Sequence, residues 1–162
     1  MSNNEPKFGR LTPDHWGETM PAHSASYGRG PWYYRDTEAI MLTYMTDEDA
    51  ALDILPSEME LVQPATAFMV IEFNHITTSG GPYGEVYTGI LATFEGQVYG
   101  YTNAVYVTTE NALTQGREIW GFGKKIAHSI QLNRLGTGEV EAVVEVHEGF
   151  VAARAIMRPE RN

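Results

Sequence analysis

Cysteine is absent from the 162 residues. Disulfides, thiol nucleophiles and thiolate metal sites are therefore excluded, which suits a cytoplasmic enzyme. Basic residues are also scarce: 11 Lys and Arg stand against 21 Asp and Glu, for a formal net charge of -10. Phosphate neutralisation needs a basic face, so nucleic acid is not an expected partner. No apolar run approaches the length that crosses a bilayer, and the first residues, among them Asn3, Asn4, Glu5 and Lys7, lack the apolar core of a signal peptide. A soluble chain with no membrane partner is expected. Missing as well are a phosphate-cradling glycine motif and a Gly-x-Ser-x-Gly elbow. The five histidines, His15, His23, His75, His128 and His147, show no metal-ligand spacing. No metal and no cofactor is implied.

What is present reads as one globular unit, because no low-complexity linker divides the chain and its length suffices for one sizeable core. Residues 1–28 carry Pro6, Pro13 and Pro21 with little periodicity and read as an extended arm; residues 29–162 read as a β domain. The aromatics Trp16, Tyr27, Trp32, Tyr33 and Tyr34 need burial, which argues against a disordered arm.

Strand patterns recur along the domain: Glu38 to Met45, Thr66 to His75, Val86 to Phe94, Val98 to Val107, Ala127 to Leu132, Glu139 to Val146, and Phe150 to Met157. Glu95-Gly96-Gln97 reads as a hairpin turn. Two short helices are expected. Thr46 caps the first, through Asp47-Glu48-Asp49-Ala50-Ala51-Leu52, whose acids suit a first turn better than a metal site. Thr109 caps the second, Glu110 to Gln115, which Gly116 ends. The fold class is mainly β (α+β): an antiparallel twisted sheet with a few short helices.

Two features of this pattern carry chemistry. Glu72 sits in the middle of an apolar strand, where a carboxylate needs a partner charge, water or a functional cavity. Lys124 and Lys125 emerge from Gly116-Arg117-Glu118-Ile119-Trp120-Gly121-Phe122-Gly123, in which Ile119, Trp120, Phe122 and Ile126 could bury an ammonium. A free lysine amine, with a pKa of about 10.4, is neutral in well under about one molecule in a thousand at pH 7, so a nucleophilic lysine needs burial or a neighbouring cation. Desolvation is the larger expected influence here, since adjacent strand residues point to opposite faces.

The segment from Gly116 to Lys125 resembles the signature of the acetoacetate decarboxylase family, with Gly123 standing where the family usually has proline. The resemblance implies a barrel-like sheet, partial or closed, of the double-psi or cone type, with Lys124 as Schiff-base nucleophile and Lys125 as its cationic neighbour. Activation of such a lysine by desolvation or an adjacent cation comes with the family. Glu72 and Glu85 match the family's two active-site glutamates in order and approximate spacing, the loop between them being slightly shorter. Arg29-Gly30-Pro31-Trp32-Tyr33-Tyr34 resembles the family's N-terminal Arg-Gly-Pro and aromatics. A family arginine falls, without gaps, on Thr37, and Arg35 is the nearest candidate for its role.

Arg29, Arg35, Arg117, Trp120 and Phe122 are the expected substrate-binding residues, and Arg117, Lys124 and Lys125, within one short segment, could gather positive charge for an anionic keto acid. The implied function is Schiff-base decarboxylation of a small β-keto acid such as acetoacetate by a homo-oligomer. Aldol condensation and dehydration of pyruvate, and a non-catalytic binding or assembly module, are the alternatives. The resemblance covers roughly Arg29 to Met157, and family members continue for several dozen residues. A fragment, a reduced member or a sheet completed by a second chain would each account for that.

Overall fold

The computed structural model describes residues 6–10, 12 and 30–160. Arg29, Trp16, Tyr27 and most of the expected arm lie outside the described residues. Strands β1 (Tyr34–Met45), β2 (Glu60–Leu61), β3 (Thr66–Thr77), β4 (Tyr83–Phe94), β5 (Gln97–Val107) and β6 (Lys124–Ile126) form a six-stranded sheet in the order β1-β3-β4-β5-β6, with β2 paired to β4. Strands β7 (Ser129–Arg134), β8 (Val140–His147) and β9 (Phe150–Met157) form a second sheet, antiparallel throughout. The mainly β class holds. Among the described residues the larger sheet is open rather than a closed barrel, and β6 departs from the antiparallel expectation by pairing parallel to β5. Neither helix is long and apolar enough to cross a membrane.

Turn and cap chemistry explains where the elements stop. Glu95 and Gly96, with φ of 49° and 76°, make the two-residue turn between β4 and β5, a geometry that matches the twist of paired strands. Helix α1 (Glu48–Ile54) is capped one residue later than expected. Asp47, not Thr46, accepts a hydrogen bond from the Ala50 N–H, because the carboxylate at that position reaches the first free donors. Thr109 caps α2 (Glu110–Glu118) as expected, but Gly116 does not end that helix.

The chain divides into two compact units. One comprises residues 1–18, 42–69 and 88–103; the other comprises 19–41, 70–87 and 104–162. In the first, Leu52, Leu55, Leu61, Ala67, Ile90 and Ala92 form a core that α1 closes. Phe8 bridges to Glu60 there, and the Gly9 N–H bonds to the Met59 carbonyl at 2.9 Å. In the second, Tyr83, Val105, Val107 and Ala112 pack together, seating α2 on strands β4 and β5. All the site residues described below belong to this second unit.

Candidate active site

Strand alternation separates the two lysines. In β6, Lys124 lies beside Val105 and Lys125 beside Tyr106, so Lys124 turns inward while Lys125 is exposed, its ammonium 5.8 Å from the centre of the Tyr106 ring. Lys124 is 9% exposed, and its Nζ lies 2.8 Å from Glu85 Oε1 and 3.0 Å from Oε2. Glu85, on β4, is equally buried. A charged pair this deep persists only when its geometry offsets the loss of water, and contact with both carboxylate oxygens supplies that.

Trp120 and Phe122 are 65% and 41% exposed, and Ile119 and Ile126 are exposed too, so none of the four is itself buried beside the amine. The backbone of α2 at Gly116 packs closely on the lysine stem. A Cβ on Gly116 would lie 2.3 Å from Lys124 Cε and 2.4 Å from Cδ, so only glycine lets the helix close on the lysine stem. That is why the helix runs through Gly116 instead of stopping there: the residue is selected by close approach, not by a turn. Behind it, the Phe122 N–H bonds to the Gly116 carbonyl at 3.0 Å, and Arg117 Nη1 donates to the carbonyl of Lys124 at 3.2 Å. Arg117 thus ties α2 to β6. Replacing Gly116 with alanine is expected to displace the Lys124 amine from Glu85 and to cut adduct formation at Lys124 by about tenfold or more. The loss of stability should be modest, about 1–3 kcal/mol for overpacking. Comparison of borohydride trapping with urea unfolding separates the two effects.

Glu72 lies on β3, half-buried, with a chain of neutral groups behind it. Asn74 Nδ2 donates to Glu72 Oε1 at 3.0 Å, and Thr37 Oγ1 of β1 donates to Asn74 Oδ1 at 2.7 Å. Burial pushes the Glu72 carboxyl above the usual carboxylate range; the Asn74 hydrogen bond opposes this, the Glu85 charge adds to it and Lys124 opposes it. Two phenols border the same carboxylates. Burial, followed by the charge of Glu85, drives Tyr83 above its ordinary value, and burial followed by Glu72 and Glu85 does the same for Tyr87. On α2, both carboxylate oxygens of Glu118 are buried without a hydrogen-bond partner.

Of the residues expected from the sequence, Lys124, Glu85 and Glu72 come together, with Arg117 alongside. Lys125 points away, and Arg35 is exposed on β1, separated from Thr37 by Asp36 at a left-handed φ of 56°. Arg29 lies outside the described residues. Asn74, Tyr83, Tyr87 and Gly116 were not singled out as site residues. A polar residue in an apolar strand, two places after Glu72, is the signal that pointed to Asn74.

The family model for acetoacetate decarboxylase matches residues 19–162. The chain belongs to the acetoacetate decarboxylase family. Acetoacetate decarboxylase 1 of Bradyrhizobium diazoefficiens is 35% identical over 109 residues, which cover 67% of this chain and 43% of that protein. The crystal structure of acetoacetate decarboxylase from Legionella pneumophila matches 94% of this chain and 56% of its own, with a TM-score of 0.74 and 26% identity. The enduracididine biosynthesis enzyme MppR, solved with pyruvate, shares the fold at 22% identity and a TM-score of 0.67, over 85% of this chain and 60% of that one. The matched stretch spans less than half the length of the curated relatives.

Proposed function

We propose that this acetoacetate decarboxylase family member is a lysine Schiff-base lyase that decarboxylates a small β-keto acid, with Lys124 as nucleophile. The observation that supports it is the buried Lys124 amine, held at 2.8 Å by Glu85, with a second carboxyl, Glu72, nearby whose burial raises its proton affinity. Glu85 is placed to take the ammonium proton and free the amine. The amine then adds to the keto carbon and loses water, leaving an iminium. The bond to the substrate carboxylate breaks, carbon dioxide departs, and the electron pair it leaves neutralises the iminium nitrogen as an enamine. Glu72, whose proton affinity is raised by its burial, supplies a proton to the carbon. Hydrolysis then releases the ketone and the lysine.

The test is borohydride reduction in the presence of acetoacetate or pyruvate, followed by peptide mapping. Substrate mass on the peptide containing Lys124 is the expected result; keto-acid binding with no reducible adduct would instead indicate a non-catalytic binding module. A second reading, condensation of pyruvate with an aldehyde, is supported by Thr37, a neutral hydroxyl at the position that the decarboxylase pattern fills with arginine. Carbon dioxide release from acetoacetate separates the two chemistries.

A further inference from the structure

We propose that Thr37 and Asn74 form a neutral positioning relay, which fixes the carboxamide of Asn74 so that its N–H faces Glu72 and thereby sets the pH at which Glu72 gives up its proton. The inference rests on the reading of Glu72 as the proton donor of the site. Asn74 is 2% exposed, so the orientation of its amide is decided by its two partners and not by water. The Thr37 hydroxyl donates to Oδ1 at 2.7 Å, which leaves Nδ2 to donate to Glu72 at 3.0 Å. An N–H donor favours the ionised carboxylate. A rotated amide would present Oδ1 and favour the acid. Burial raises the proton affinity of Glu72, and a proton donor works best when it can recharge and discharge near the pH at which it acts. The relay counters burial without introducing a cation that would compete with Lys124 for the carboxylates.

Other groups act on Glu72 as well. Glu85 of β4 raises its proton affinity and Lys124 of β6 lowers it, while Tyr83 and Tyr87 of β4 feel its charge in return. The Tyr34 side chain of β1 hydrogen-bonds with that of Tyr83. Glu38 pairs with His75 and Arg134, but Glu38 and His75 each stand one residue along the strand from Thr37 and Asn74, so alternation directs them to the opposite face of the sheet. The relay is the neutral element of this set, and Thr37 can be changed without altering any charge.

Carboxyl carbon NMR of the full chain labelled at glutamate, with Glu72 assigned by comparison with Glu72→Gln, reads the relay directly. Thr37→Val is expected to move the Glu72 midpoint upward by about one pH unit, and Asn74→Leu by at least as much, while Thr37→Ser restores the native value. The alkaline limb of the decarboxylation profile should move with it, because Glu72 stays protonated to higher pH. Absence of trapping in the native protein would remove the Schiff-base reading, yet the Glu72 titration would still test the relay. Identical midpoints in the native protein, Thr37→Val and Thr37→Ser, each folded by circular dichroism, would overturn it.

Discussion

Lys124→Arg is expected to abolish the borohydride-trapped adduct and to lower decarboxylation by about four orders of magnitude, equivalent to about 5 kcal/mol of barrier. Arginine keeps a positive charge opposite Glu85, so the buried carboxylate retains a partner. What it removes is the amine: a guanidinium does not shed its proton in a protein and cannot form the iminium that accepts the electron pair. The substitution therefore separates the electrostatic role of Lys124 from its covalent one. Rate loss with a native circular dichroism spectrum is the expected pattern. Turnover within tenfold of the native protein, or a reduced adduct on another peptide, would show that the nucleophile lies elsewhere.

The second large effect concerns stability. Glu85→Ala strips the partner from an ammonium whose side chain is 9% exposed, and breaking a buried pair by removing one member is worth about 3–5 kcal/mol. Lys124→Met should cost a similar amount, by leaving Glu85 alone. The double variant Glu85→Leu with Lys124→Met should recover much of the loss, since neither charge then has to be held away from water. The denaturant midpoints of the native protein, Glu85→Leu, Lys124→Met and the double form a cycle, with an expected coupling of about 2–3 kcal/mol. Strict additivity of the single effects would mean that the two groups are independently solvated and that the short contact between them contributes nothing to folding. Activity adds a further distinction, because Glu85→Ala should also slow adduct formation if Glu85 accepts the ammonium proton.

Much of the second unit was legible before folding was considered. Alternation gave the bodies of β1 and β8, branched and aromatic content gave those of β3, β4 and β5, and the Glu148-Gly149 turn set β9 at its observed limits. Thr109 announced α2, and the pattern from Gly116 to Lys125 pointed to the family that the comparisons show. The errors are informative in the same terms. Gly116 was read as a helix stop because glycine usually serves turns, whereas here its missing side chain makes room for the stem of Lys124. Trp120 and Phe122 were read as the desolvating wall because apolar residues adjacent in sequence suggest a shared pocket. The loop after α2 instead carries them to the surface.

The sequence by itself determined the strand periodicities, the Thr109 cap, the lack of cysteine and the segment that carries the paired lysines, all of which depend on composition or on residues within a few positions of one another. Only the tertiary structure decided which groups meet. Lys124 and Glu85 are separated by 39 residues, and Thr37 and Asn74 by 37. Contacts of this range follow from which strands neighbour one another and from the direction each side chain takes. Alternation already set Lys125 on the face opposite Lys124, but no local pattern could show which of the two turns inward, or that a neutral threonine and asparagine stand behind Glu72. Burial decided the rest, since the same carboxyl is an ordinary surface acid in water and a reluctant one between β1 and β4.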